Sequence, residues 1–76
     1  MIYILTPHHY DFIRTCKDKG LDPMNVNNIK WIHGVEQFYG LKIYPEDQIL
    51  VGDKYYDFPY ETTERFKVEI ELRKRI

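Results

Sequence analysis

The chain has 76 residues, with 11 basic and 12 acidic side chains and a formal net charge of -1. It contains no serine and no alanine, yet 16% of it is aromatic. This excludes a serine nucleophile or serine-based triad, fits a single domain (1–76), and requires helices to form by packing an apolar face rather than by intrinsic propensity.

The first predicted element is Ile2-Tyr3-Ile4-Leu5, a continuously apolar, β-branched run that reads as a buried strand. Thr6-Pro7 then supplies an N-cap and a proline for the first helical position. His9, Phe12, Ile13 and Cys16 recur at helical spacing. Gly20 ends the helix and places Cys16 against Leu21 in a Schellman cap. These signals predict a helix over 7–19.

Asp22-Pro23-Met24-Asn25 is turn chemistry. Ile29-Lys30-Trp31-Ile32-His33 reads as a second strand, and 35–39 as a short helical connector stopped by Gly40. Gln48-Ile49-Leu50-Val51 is a third strand, ended by Gly52-Asp53. Glu46-Asp47 before it reads as a solvated turn. Segment 62–76 carries two signals. Phe66, Val68, Ile70 and Leu72 alternate with Lys67, Glu69, Glu71 and Arg73, which is a strand pattern. The Thr62-Thr63-Glu64 opening and the i,i+4 pairs Glu69–Arg73 and Glu71–Arg75 suit a helix. The preceding order of elements favours the helix, with Arg73, Lys74 and Arg75 complementing its C-terminal dipole.

The fold class is therefore α/β: βαβαβα, with a three-stranded parallel sheet and right-handed crossovers. Strand orders 2-1-3 and 3-2-1 both satisfy handedness. Order 2-1-3 is preferred, because it sets the first helix and the 35–39 connector on opposite faces.

Ile2-Tyr3-Ile4-Leu5-Thr6 opens onto a helix, and Glu36-Gln37-Phe38-Tyr39-Gly40-Leu41 makes a short connector. Ile49-Leu50-Val51-Gly52-Asp53 then leads into Tyr55-Tyr56 and Pro59. In this arrangement the chain resembles small phage-encoded α/β proteins with half of a Rossmann or flavodoxin-like unit. The resemblance implies a fold and no catalytic residue. For a phage protein it also implies a host protein as target.

In open parallel sheets, ligands bind outside the carboxyl ends of the strands. Those ends carry Thr6, Pro7, His8 and His9 after strand one, and His33 and Gly34 after strand two. After strand three come Gly52, Asp53, Lys54 and Tyr55. All three histidines fall on this edge. An anion there would meet backbone N–H groups at the helix start, with His8 and Lys54 adding charge and Tyr55 or Tyr56 stacking on a base. The glycine-rich phosphate-binding motifs are absent. His8, His33 and Asp53 are residue types that zinc takes, but they lack ligand spacing, so no metal is expected. Asp53 with His8 or His33 is the available acid–base pair. Cys16 reads as a core residue.

A single cysteine excludes an intrachain disulfide and points to a reducing, cytoplasmic setting. No apolar run approaches the ~20 residues of a membrane span, and near-neutral charge gives no case for nucleic acid. In the aromatic loop, Phe58 and one tyrosine are expected inside. Tyr55, Tyr56, Phe58 and Tyr60 together form the candidate interface. Two helices and a short connector are expected to leave one aromatic-rich face of the sheet bare, which favours a homodimer or a tight heterologous complex. The expected function is non-enzymatic binding of a protein partner or of a second copy, without a cofactor. The alternative is a binder of a nucleotide-like anion at the strand ends.

Overall fold

The computed structural model describes residues 1–74. Ile2–Leu5 forms β1, His9–Asp18 α1, Ile29–Ile32 β2, Gln48–Val51 β3 and Tyr60–Arg73 α2. Short 3-10 turns, Val35–Phe38 and Tyr55–Asp57, lie before and after β3. The strands are parallel and ordered β2-β1-β3, the order preferred from sequence. Ile2 lies opposite Ile29 and Gln48, and Leu5 opposite Ile32 and Val51.

β1 is central, so both of its faces must be apolar, and its unbroken apolar run follows from that. Ile2 and Ile4 turn toward α1, where they meet Ile29, Trp31, Phe12, Ile13, Cys16 and Leu21. Tyr3 and Leu5 turn the other way, into a core with Ile32, Phe38, Ile43, Tyr55, Phe58 and Phe66. The connector therefore lies opposite α1, and α2 shares its side. Helical layers cover both faces of the sheet. The expectation of a bare aromatic face is corrected here: the α2 layer and the inward-folded Tyr55 and Phe58 fill that side.

The end of α1 follows the sequence closely. The Leu21 N–H donates to the Cys16 carbonyl at 2.8 Å and the Gly20 N–H to the Lys17 carbonyl at 3.2 Å. This is the Schellman pattern, and Gly20 takes the positive φ of 70° that it needs. The start of α1 differs. The helix begins at His9 with His8 at the N-cap, not at Thr6-Pro7. The Thr6 N–H instead extends the sheet, donating to the Ile32 carbonyl at 3.2 Å. The inward stripe is Asp11, Phe12, Thr15 and Cys16, whereas His9 is exposed. Burial pushes the Cys16 thiol pKa up, as suits a core residue.

Segment 60–73 is helical. Its alternating apolar residues divide between two sides: Phe66 is buried and Ile70 packs against the core, while Val68 and Leu72 are exposed. The helix opens earlier than Thr62, because Pro59 serves as its N-cap. Glu69 is buried and is held by Arg65 at 3.0 Å and by Arg73. Arg73 also donates to the Phe38 carbonyl, and the Ile43 N–H donates to the Arg73 carbonyl at 2.9 Å. Arg73 thus latches α2 to the connector rather than merely facing the helix dipole. Lys74 pairs with Glu71 at 3.0 Å. Arg75, and with it the expected Glu71–Arg75 pair, lies outside the described residues.

Asp47 is not a solvated turn residue. Its carboxylate accepts the Tyr44 N–H at 2.9 Å and lies 3.1 Å from the Met1 amino nitrogen, with its side chain almost buried. Among the described residues, no helix is long and apolar enough to cross a membrane.

The two sides of α2 make unequal contributions to stability. Phe66→Ala should lower the unfolding free energy by about 3–5 kcal/mol. Val68→Ala, on the exposed side, should change it by less than about 0.5 kcal/mol. Urea denaturation followed by circular dichroism measures both.

Candidate functional site

The carboxyl ends of the strands converge on a residue absent from the sequence-based candidates, Asp11. It is fully buried in the first turn of α1. Its Oδ2 accepts the Thr6 hydroxyl at 2.7 Å and the Lys54 backbone N–H at 2.9 Å. Its Oδ1 accepts Arg14 Nη2 at 2.7 Å, and Arg14 also lies 3.6 Å from Asp53. Burial pushes the Asp11 carboxyl pKa upward. The hydrogen bonds from Lys54, Thr6 and Arg14, with the Arg14 charge, outweigh that and hold it below the usual carboxylate range.

Gly52 exists because of this contact. A Cβ there would overlap Asp11 Oδ2 and lie 2.9 Å from its Cγ and 3.1 Å from Thr6 Cβ. The Gly52 N–H donates to the Leu5 carbonyl at 3.1 Å, so the chain cannot draw back without breaking the ladder. Thr6 and Gly52 are both buried. The Thr6 hydroxyl and the Lys54 backbone amide, donors at the strand ends, already serve an internal carboxylate.

The three histidines reach the same edge but do not converge on one point. His33 lies tilted against Trp31 at a ring separation of 4.4 Å, and His9 meets Trp31 edge-on at 5.0 Å. The Trp31 indole N–H donates to the Thr6 carbonyl at 2.9 Å. His8 points elsewhere, with its Nε2 2.8 Å from Asp57 and its ring stacked on Tyr10. Asp53 takes Arg14 as its charged neighbour, so neither expected Asp53–His pair forms among the described contacts. No group of three or more His, Cys, Asp or Glu that could hold a metal ion occurs among the described residues. Gly34 belongs to the connector turn, where its N–H donates to Gln37 Oε1 at 3.0 Å.

Within the aromatic loop, Tyr55 and Phe58 are buried, packing against Phe66. Neither is available to a partner or a base. Tyr56 is 85% exposed and Tyr60 73%; the Tyr60 hydroxyl donates to Glu64 at 2.7 Å. An open groove of about 370 Å³ lies between the connector and α2, lined by Val35, Tyr39, Glu61, Thr62 and Arg65.

The two edges of the sheet are treated differently. On the outer edge of β2, the Gln37 carboxamide accepts the His33 N–H at 2.6 Å and donates to the Trp31 carbonyl at 3.1 Å. Those are two of the groups that an added strand would use; by alternation the Ile29 carbonyl and the Trp31 N–H face outward too, without a partner among the described contacts. On β3, the Gln48 N–H goes to the Met1 carbonyl at 3.0 Å and the Gly52 N–H to the Leu5 carbonyl at 3.1 Å. Alternation along a strand then turns the N–H and C=O of Ile49 and Val51 to the open side. Val51 is 53% exposed, and Ile49 and Leu50 are only half-buried. The exposed Tyr44 and Tyr56 flank the strand.

Sequence reasoning missed Asp11, Gln37 and Val51. The signal for Asp11 was the glycine closing the third strand, which marks a close approach. Gln37 carried no signal beyond its place after a strand. Val51 was read only as part of an apolar run.

Comparison with protein-family models, curated proteins and solved structures finds no match.

The Asp11 junction should be sensitive to sterics and to acid. Gly52→Ala should cost about 1–3 kcal/mol of stability, as overpacking does, read from urea midpoints. Because Asp11 has a folded pKa below its unfolded value, its contribution is complete above the ordinary carboxylate range. It is lost as pH falls from there through the lower folded value. Asp11→Asn should cost about 1.5–3 kcal/mol at neutral pH, the range for hydrogen bonds to a charged group. It should also flatten the acid limb of a plot of unfolding free energy against pH.

Proposed function

We propose that this chain is a non-enzymatic protein-binding module whose working surface is the open edge of β3. The observation that carries this reading is the contrast between the two edges. Gln37 blocks the carboxyl end of the β2 edge with its own carboxamide, and nothing among the described residues does the same for β3, where the N–H and C=O of both Ile49 and Val51 stay open. An unpaired edge is a template for an extended polypeptide. Strand addition takes affinity from main-chain hydrogen bonds and specificity from alternate side chains.

The side chains along this edge suit such a partner. Ile49 and Val51 offer apolar contact on one side of the sheet and Leu50 on the other, and exposed tyrosines stand at both ends. Tyrosine is enriched at binding hot spots. The charged shields that commonly protect an edge are missing from 49–51. The alternative, a nucleotide-like anion at the strand ends, has less support, because His8 pairs with Asp57, Tyr55 is buried, and the Asp11 carboxylate sets a negative charge at that edge.

A photo-crosslinking amino acid placed at Val51 should yield covalent adducts with polypeptide in cells, whether another protein or a second copy. The same probe at Lys30 on β2 should yield far fewer. Adducts from position 30 but not from 51, or from neither, would count against the reading.

A further inference from the structure

We propose that the strand received by this edge is β3 of a second copy, running antiparallel, so that two sheets join as β2-β1-β3-β3-β1-β2. This rests on the reading of β3 as a binding edge and names its occupant. The groups facing outward belong to Ile49 and Val51, so a hydrogen-bonded antiparallel pair must be built from these two. Setting Ile49 opposite Val51 of the second copy satisfies both residues in both copies at once. Leu50 then falls opposite Leu50 of the second copy, on the side of the sheet that carries α1. That position is a non-hydrogen-bonded pair, where the Cβ atoms are closest.

Charge selects this register over its neighbours. It brings the exposed Glu46 before β3 to the same end as the exposed Lys54 that follows β3 in the other copy, once at each end. Neither has an ion partner among the described residues. Asp47 and Asp53 also come to the same end. However, the Asp47 carboxylate is held inward by the Tyr44 N–H, and Asp53 lies 3.6 Å from Arg14. Sliding the pair by one two-residue step sets Asp47 against Val51, or Asp53 against Ile49, and separates Glu46 from Lys54. The chosen register also brings the exposed Tyr44 of one copy to the end where Tyr56 of the other is exposed. The arrangement is a closed two-fold, the commonest oligomer symmetry. It consumes the β3 edge of both copies and leaves outermost the β2 edges, which Gln37 partly blocks.

Light scattering on the full chain across a concentration series should give twice the 9.3 kDa chain mass. Val51→Pro removes an outward N–H without touching the β1 ladder, and should give a folded monomer by circular dichroism. Glu46→Lys should weaken the dimer about tenfold, since two attractions become two repulsions. Adding Lys54→Glu to it should restore the affinity. Leu50→Cys should form a disulfide dimer on mild oxidation, with the wild type, whose lone cysteine is the buried Cys16, as the unreactive control. A chain that stays monomeric at all concentrations, or a dimer that ignores both Val51→Pro and the charge swap, overturns the self-pairing. Crosslinks from position 51 to a different protein, with a monomeric chain, would overturn it while leaving the edge reading intact. No crosslinks from 51 at all would remove both.

Discussion

One buried carboxylate fixes the geometry on which the rest of this small fold depends. Asp11 joins the first turn of α1 to the end of β1 through Thr6, and to the exit of β3 through the Lys54 amide. Removing a charge from water is expensive, and it is tolerated only where donors replace the lost hydration. Here a hydroxyl, a backbone amide and a guanidinium do so, and the positive end of the α1 dipole adds to them. The consequence runs outward. Gly52 must lack a side chain, so the chain leaves β3 in a tight turn, and Tyr55 and Phe58 enter the core beneath α2.

The closure of the β2 edge has a comparably indirect cause. Gln37 reaches the Trp31 carbonyl and the His33 amide because the Val35–Phe38 turn sits just beyond β2. That turn is held by the far end of α2: Arg73 donates to the Phe38 carbonyl while Glu69 fixes the guanidinium. A carboxamide has both an acceptor and donors, so one side chain satisfies both groups of an edge residue pair. A helix on one face of the sheet thus determines the accessibility of an edge. Among the described residues, no comparable chain of contacts leads to the outer edge of β3.

Much of the architecture was legible in the sequence, and the reasons are local. β1 announces itself by β-branched residues with no polar interruption. The end of α1 is written in Cys16, Gly20 and Leu21. The order β2-β1-β3 follows from needing cover on both faces. What failed were inferences that only tertiary partners decide. Thr6-Pro7 has the chemistry of a helix start, yet the Thr6 N–H is worth more in the ladder with Ile32. Asp11 drew no reading from the sequence, because the donor that ties it to the third strand is distant along the chain. Lys54 is 43 positions away. The strand-like alternation of Phe66, Val68, Ile70 and Leu72 became a helix with apolar residues on two sides. The i,i+4 pairing of Glu69 with Arg73 and the cover required by the sheet outweighed the alternation. The candidate site was legible only as a region. The strand ends were the right neighbourhood for the histidines and the loop aromatics. The residues that matter for the edge, however, are defined by which backbone groups lack partners, and a sequence does not display that directly.

Parallel sheets usually present their chemistry in the crevice at the strand ends, and in this chain that crevice is filled from within. Asp11 holds the donors, Trp31 lies over Thr6 between His9 and His33, and Asp57 engages His8. A three-stranded sheet has few other places to act. Its faces are needed for stability, because a chain of this size buries only about 60% of the surface it exposes when unfolded. Its β2 edge is partly blocked by Gln37. Among the described residues, Ile49 and Val51 leave both N–H and C=O groups open along β3, and a short apolar strand left in that state risks uncontrolled pairing. A closed two-fold pairing resolves the risk, because it satisfies the edge with the same four residues that create it and leaves outermost only the β2 edges that Gln37 partly blocks.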